Sequence, residues 1–204
     1  MHSDSPSLPE KTPDVAQKTS DAPQSLDKLL LKKRVLYLGG EIDEKSTNTI
    51  VGRLIGFAIE NSTKPIHMLF NSTGCDTASA RAIYDVMHAI LPPVHTYCIG
   101  AAVSFVPMLL AGGEKGKRFA LPNSRIMIHQ PSTLLMRGQA SDIAIHAKEV
   151  TYLKTQFATL FARDTGKTLE EITSDTERNF FMSAEEAKAY GIVDQILTTL
   201  DFST

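Results

Sequence analysis

Residues 66–98 read IHMLFNSTGCDTASARAIYDVMHAILPPVHTYC and contain one complete strand–helix–strand unit. The runs Ile66–Phe70 and Val94–Cys98 are short, largely apolar and rich in aromatic and β-branched residues, which is typical of buried strands. Between them, apolar residues recur at helical spacing and the pattern stops before two prolines (Ala82, Ile83, Val86 and Ile90, then Pro92 and Pro93). This order of elements predicts a βαβ unit with parallel strands.

The same alternation continues on both sides of this unit. An apolar run at Val35–Leu38 lies roughly thirty residues before Ile66, which is the usual length of one βαβ repeat. The segment between these two runs carries a helical stripe (Ile50, Leu54, Phe57 and Ala58), and Arg125–Ile128 has the composition of a further strand. The sequence therefore predicts an α/β fold in which helices cover a mainly parallel sheet.

The pattern of residues 139–163 predicts one long helix. Apolar side chains recur there at helical spacing (Ile143, Ala147, Val150, Leu153, Phe157 and Leu160). Such a helix has a longer apolar stripe than a small core can cover, so we expect part of it to pack against another subunit. A long helix that lies on the surface of a single subunit is the alternative.

The composition is that of an ordinary globular domain. The chain has 204 residues, 42% of them hydrophobic, which is enough for one sizeable core and short for two full domains. The formal net charge of -2 shows no basic excess, so general nucleic-acid binding and attachment to an anionic membrane are disfavoured.

Membrane insertion and secretion are also disfavoured by the sequence. The longest apolar run, Phe105–Ala111, is much shorter than the roughly 18 residues of a membrane span, and no signal-peptide core opens the chain. The two cysteines, Cys75 and Cys98, cannot form a disulfide framework or supply all ligands of a structural zinc site. We therefore expect a cytoplasmic protein.

Residues 1–24 differ in composition from the rest of the chain. They hold four prolines and many Ser and Thr residues, with few large aliphatic side chains. This composition predicts a disordered tail ahead of a folded domain at residues 25–204. The tail lacks Arg and carries acidic residues, which disfavours a mitochondrial or plastid transit peptide.

Ser104 is the first candidate for chemistry, because it follows the predicted strand Val94–Cys98 and precedes the apolar run that ends at Ala111. A serine in this place lies at or near a helix N-terminus, where free N–H groups can stabilise an oxyanion. A serine beside a helix start is most often a cap, so the position alone does not identify a nucleophile.

His129 and the segment Asn71–Cys75 are the other candidates. His129 follows the predicted strand Arg125–Ile128 and precedes Pro131, where it could serve Ser104 as a general base. Asn71–Cys75 is predicted to be a turn at the C-terminal edge of the sheet, where open α/β folds place their sites. A structural histidine and a plain glycine-containing turn are the respective alternatives.

Several separate segments match a single family pattern in their residues, order and spacing. They are Gly116–Phe119, Leu121–Pro131, Gly138–Ile143, Asp175–Arg178, Met182–Ala187 and Tyr190–Asp194. Together they resemble the proteolytic subunit of the Clp protease, a serine peptidase of the crotonase-like α/β fold. The resemblance covers about residues 34–197 and implies repeated ββα and βαβ units with a long handle helix.

The resemblance also implies the residues that perform catalysis. The nucleophile falls on Ser104, the general base on His129, and the oxyanion-hole amides on Cys75 and Phe105. The third member of the triad falls on Asn179. No metal or organic cofactor is required by this chemistry.

The implied partners are further subunits and an ATPase. The family assembles two stacked seven-membered rings, made here either of this chain alone or of this chain with a paralogue. An AAA+ unfoldase delivers unfolded polypeptides to such rings, which hydrolyse them in protein quality control.

Four features depart from the family pattern. The third triad member is usually Asp rather than Asn179, and a neutral amide cannot stabilise the imidazolium by charge; in a trypsin-like triad the same change lowers turnover about 10⁴-fold. Cys75 replaces a glycine, which would distort the oxyanion hole if that position needs a positive φ. Residues 132–137 lack the Gly-Gly turn of the handle region, and the segment before Arg34 lacks the usual hydrophobic N-terminal loop.

These departures leave other readings open. The chain could be an attenuated or non-catalytic paralogue with a structural role in a mixed ring. Acyl-CoA chemistry on the same fold, a Cys75 nucleophile and self-processing of the N-terminal tail are further alternatives.

Overall fold

The computed structural model describes residues 26–131 and 138–202. Within these ranges the elements, in chain order, are α1 (Leu26–Lys32), β1 (Val35–Ile42), α2 (Glu44–Glu60), β2 (Ile66–Cys75), α3 (Thr77–Ala89), β3 (Val94–Val103), α4 (Val106–Ala111), β4 (Arg118–Ala120), β5 (Arg125–Ile128), α5 (Ala140–Thr165), α6 (Leu169–Asp175), β6 (Phe180–Met182), α7 (Ala184–Tyr190) and β7 (Gln195–Ile196). The predicted tail at residues 1–24 and the altered turn at residues 132–137 lie outside the described residues.

The strands form one mixed sheet that is mainly parallel, as predicted. The order β1-β2-β3-β4-β7 forms its main path, and all of these pairs are parallel. β5 branches from this path, because it pairs in parallel with the second half of β3 and antiparallel with β6. The α/β fold class is therefore confirmed.

Strand β3 divides the sheet into two parts. Its residues Thr96–Cys98 pair with β4, whereas Ala101–Val103 pair with β5. Gly100, with a φ of 146°, lies between these two pairings. Because β5 pairs with the second half of β3, β5 and its partner β6 lie at the end of β3, beside the candidate site.

Three strands are longer than the sequence predicted. The predicted strand Val35–Leu38 continues to Ile42 in β1. Asn71–Cys75 was predicted to be a turn, but it is the second half of β2, in which Gly74 and Cys75 pair with Glu41 and Ile42 of β1. Residues 99–103 likewise extend β3 rather than opening a helix. The neighbouring strands β1 and β5 supply hydrogen bonds to these polar and small residues, which outweighs their turn preference.

The main core lies between the sheet and its helices. α2 and α3 bury their predicted apolar stripes, including Ile50, Leu54 and Ile83, against the strands. All residues of α4 are buried, in agreement with its uniformly apolar sequence. The β2 segment Ile66–Phe70 is buried on both faces, as expected for a central parallel strand.

A buried ion pair joins β4 to the start of β7 and to the end of α5. The Arg118 guanidinium lies 2.6 Å from Asp194 and also donates to the backbone oxygen of Asp164 at 2.8 Å. Burial opposes ionisation of Asp194, but the hydrogen bonds and charge of Arg118 outweigh it and hold its pKa below the usual value. This arrangement satisfies a guanidinium that is almost fully buried.

The long helix predicted at residues 139–163 is confirmed as α5, Ala140–Thr165. Its buried residues lie in its C-terminal half (Phe157, Ala158, Phe161 and Asp164). In the N-terminal half, Ile143 of the predicted stripe is 43% exposed, and Ile145 and Tyr152 outside the stripe are 66% and 55% exposed. The subunit leaves this part of the apolar stripe uncovered. Packing against another subunit stays a prediction. Among the described residues, no helix combines the length and apolar composition needed to cross a membrane.

Candidate active site

Ser104 occupies a strained turn between β3 and α4. Its φ is 65°, and among the described residues only Arg34 is another non-glycine residue with a positive φ. A side chain in this region costs of the order of 1–3 kcal/mol and persists only where the surroundings impose it. The Ser104 amide donates to the Met127 carbonyl at 3.0 Å, which attaches this turn to β5.

The simple explanation of Ser104 as a helix cap does not hold. Phe105 is the N-cap residue of α4, and no side chain caps this helix. Pro107, near the helix start, lacks an amide hydrogen that would need a cap. The local structure therefore leaves the half-buried Ser104 hydroxyl without a capping role.

The strand register brings His129 to the same edge as Ser104. Val103 pairs with Met127 in the parallel β3–β5 ladder, so both chains leave the sheet at neighbouring positions. Adjacent strands are separated by about 4.8 Å. The rings of Phe105 and His129 are 6.3 Å apart, which confirms that the segments after the two strands remain close.

Asn179 reaches this edge from β6. Ile128 pairs with Phe180 in the antiparallel β5–β6 ladder, and the next position of that register sets His129 opposite Asn179. The two residues line an open cleft of about 490 Å³ together with Gln130, Glu177 and Arg178. Ser104 follows β3, His129 follows β5 and Asn179 precedes the antiparallel β6, so all three lie at neighbouring strand ends on one edge of the sheet.

The His129 ring is held by the main chain. Nδ1 lies 2.7 Å from the carbonyl oxygen of Gln130, which can only accept a hydrogen bond. The proton of the neutral imidazole is therefore assigned to Nδ1, and Nε2 keeps its lone pair. A ring in this tautomer can take a proton through Nε2.

Cys75 fits its position without the distortion that the sequence suggested. It is the last residue of β2, opposite Ile42, and its φ is not positive. Its side chain is buried in the main core, and burial raises the pKa of the thiol to about 12. A protonated thiol that donates to the Asp76 carbonyl does not support the alternative of a cysteine nucleophile.

Asn71 joins β2 to β3 beside the candidate site, and sequence analysis did not single it out for this. Its side-chain oxygen accepts from the Ala101 amide at 3.2 Å. A Cβ atom at Gly100 would lie 2.5 Å from that oxygen, so only glycine fits there. The pair of residues fixes the path of β3 as it approaches Ser104.

A second cleft is lined in part by Phe105 and was also outside the sequence predictions. It has a volume of about 260 Å³ and is formed by α3, α4 and α5. Its walls combine apolar groups such as Phe105 and Phe157 with the polar Gln156 and the charged Arg81 and Asp85. Because Phe105 follows Ser104 directly, the side chains of a peptide bound at Ser104 could reach this cleft.

Comparison with known protein families gives one result over most of the chain. The model of the Clp protease family matches residues 18–200. The match includes every strand and helix described above and all the residues of the candidate site.

Proposed function

The chain belongs to the Clp protease family, and from this premise we propose that it is a serine endopeptidase with Ser104 as its nucleophile. The observation that carries the proposal is the left-handed backbone of Ser104, at a strand–helix turn bonded to the strand that leads to His129. Strain of this kind collects at functional residues that must be presented at a fixed angle. No capping role accounts for it.

In the proposed reaction, the Ser104 hydroxyl attacks the peptide carbonyl while Nε2 of His129 takes its proton. The backbone amides of Cys75 and Phe105 donate to the oxyanion of the tetrahedral intermediate. His129 then gives the proton to the leaving amine, and the acyl-enzyme is hydrolysed by water through the same steps. The family resemblance gives the third triad position to Asn179, which lines the cleft beside His129. The reaction uses neither a metal nor an organic cofactor.

We propose that the cleft formed by α3, α4 and α5 receives a substrate side chain next to the cleaved bond. Phe105 connects the two places, because its amide belongs to the proposed oxyanion hole and its ring lines the cleft. The combination of aromatic walls with Gln156, Arg81 and Asp85 favours large side chains that have an apolar body and a polar end.

At the level of assembly, we propose two stacked heptameric rings, composed of this chain alone or of this chain with a paralogue. The exposed apolar residues of α5 support such contacts. Apolar surface is unfavourable in water and is stabilised when another subunit covers it. In this proposal an AAA+ unfoldase supplies unfolded polypeptides to the tetradecamer, which acts in cytoplasmic protein quality control.

A second candidate function is that of an attenuated subunit with a structural role in a mixed ring. Asn179 favours it, because an amide at this position supplies no negative charge to the imidazolium. This candidate predicts a normally assembled ring without hydrolysis of its own.

The test is hydrolysis of a short fluorogenic peptide, which needs no ATPase. We expect turnover by the purified chain, its loss in Ser104→Ala, and its retention in Ser62→Ala, which changes an exposed loop serine. All proteins are sized in the assay buffer. An assembled ring without turnover would reject the peptidase and favour the structural role. Turnover that survives Ser104→Ala would reject Ser104 as the nucleophile.

A further inference from the structure

The hydrogen bond of His129 involves a partner other than the three residues of the proposed triad. The imidazole Nδ1–H donates to the carbonyl oxygen of Gln130, the next residue in the chain, over 2.7 Å. This nitrogen is the one that the third triad member binds in a Ser-His-Asp site. A main-chain acceptor therefore occupies the place of the triad carboxylate.

The Gln130 carbonyl is fixed from both sides. On one side, the Gln130 amide donates to the Thr176 carbonyl at 2.7 Å, and the Gln130 side chain donates to the Glu177 carbonyl at 3.4 Å. On the other side, Pro131 restricts the backbone of the residue before it to extended conformations. The carbonyl thus has little freedom to turn away from His129.

The segment that holds Gln130 is itself attached to α6. Thr176 is 2% exposed, and both its amide and its hydroxyl donate to the Ile172 carbonyl, at 3.0 and 2.6 Å. Ile172 belongs to the main core. The position of the Gln130 carbonyl is therefore determined by buried structure, whereas Asn179 is exposed.

We infer that the Gln130 backbone carbonyl, and not the Asn179 side chain, is the group that positions the general base His129. The inference rests on the proposed peptidase function and names the positioning residue of that same site. A carbonyl only accepts hydrogen bonds, so it selects the tautomer with the proton on Nδ1 and leaves Nε2 free. An Asn amide both donates and accepts, so it selects neither tautomer.

This assignment explains how Asn is tolerated at position 179. The large loss caused by Asn in a trypsin-like triad comes with the wrong imidazole tautomer. In the present site the tautomer is set by Gln130, so Asn179 removes a favourable charge without reversing the ring. The cost of Asn179 is accordingly far smaller than in a trypsin-like triad.

The test compares Asn179→Ala with Pro131→Ala in peptide hydrolysis, with kcat and KM measured separately. We expect Asn179→Ala to lower kcat less than Pro131→Ala does, because the ring keeps its acceptor. Pro131→Ala frees the Gln130 carbonyl, so kcat should fall about tenfold or more with KM little changed. The reverse order of losses in kcat would overturn the inference.

A spectroscopic measurement decides the matter independently of catalysis. We would record 15N spectra of the histidine rings in assembled protein, with the His129 signals identified by their loss in His129→Gln. The inference predicts a protonated Nδ1 in the neutral ring of the parent and of Asn179→Ala. Protonation at Nε2, or a change of tautomer in Asn179→Ala, would contradict it even if Pro131→Ala does not fold. Absence of Ser104-dependent hydrolysis would instead reject the peptidase function and leave this spectrum unaffected.

Discussion

At the scale of single residues, Ser104 and Cys75 differ in the strain of their backbone conformations at the candidate site. Ser104 adopts a left-handed backbone conformation that L-residues avoid, whereas Cys75, in a position where the family has glycine, adopts a φ that is not positive. The strain is thus confined to the residue that must present its hydroxyl. Cys75 instead contributes its side chain to the main core.

The strain at Ser104 can be measured by comparing two inactive variants. Ser104→Gly relieves the unfavourable φ, whereas Ser104→Ala keeps a Cβ atom in the same conformation. We expect the glycine variant to exceed the alanine variant by about 1 kcal/mol in free energy of unfolding. Equal stabilities, measured by denaturant unfolding at one protein concentration, would show that the turn carries no such strain.

The neutral side chain at position 179 leads to a second prediction. Asn179→Asp adds a negative charge next to the imidazolium of the transition state, but Gln130 already sets the tautomer. We therefore expect kcat to rise about tenfold, far less than the 10⁴-fold effect in a trypsin-like triad. Asn179→Gln, which adds no charge, is the control. A gain of several thousandfold would mean that Asn179 had been the orienting group.

The buried side chain of His67 should make the stability of the protein depend on pH. It is 5% exposed, within hydrogen-bonding distance of the Tyr97 hydroxyl, and burial together with the nearby His95 and Arg34 lowers its pKa to about 4. Between pH 6.5 and about 4, the unfolded chain binds a proton at this residue that the folded chain does not bind. The free energy of unfolding should therefore fall as the pH is lowered through this window.

The measurement compares unfolding curves of the parent, His67→Gln and His146→Gln at several pH values in that window. We expect a weaker decrease in His67→Gln than in the parent, since one of the responsible groups is removed. His146 is exposed on α5 and serves as the control. Identical slopes for all three proteins would show that His67 is not held neutral by the fold.

At the scale of the elements, the ends of the strands carry the site and were the hardest part to predict. The apolar beginnings of β2 and β3 were evident, because Ile66–Phe70 and Val94–Cys98 have clear strand composition. Their polar, glycine-containing continuations resemble turns, and only pairing with β1 and β5 makes them strands. Local propensity cannot anticipate hydrogen bonds that come from distant segments.

The α5 helix provides a prediction about substrate selection. Gln156 lines the cleft beside Phe105, so Gln156→Trp should fill much of it. We expect KM to rise about tenfold for peptides with a large side chain before the cleaved bond, and to change little for those with alanine there. Thr155→Trp alters the exposed neighbouring residue and serves as the control. An equal effect on both peptides would show that the cleft does not bind this side chain.

At the scale of the whole molecule, the α/β class, the mainly parallel sheet and the long helix followed from periodicity alone. Ser104, His129 and Asn71–Cys75 were candidates from the sequence itself. The family resemblance added Phe105, Asn179 and the catalytic roles, and the family match confirms the resemblance. Neither could reveal the left-handed backbone of Ser104 or the bond from His129 to Gln130, because both depend on the β3–β5–β6 register. That register joins segments from distant parts of the chain.

The central claim, that Ser104 is an activated nucleophile, is tested most directly by covalent labelling. A fluorophosphonate reacts with activated serines, forming a bond from the serine oxygen to phosphorus with loss of fluoride. We predict one adduct per chain, located at Ser104 by peptide mass analysis, absent in Ser104→Ala and formed more slowly in His129→Ala. An unchanged mass in correctly assembled protein, or an adduct on another residue such as Cys75, would contradict the account.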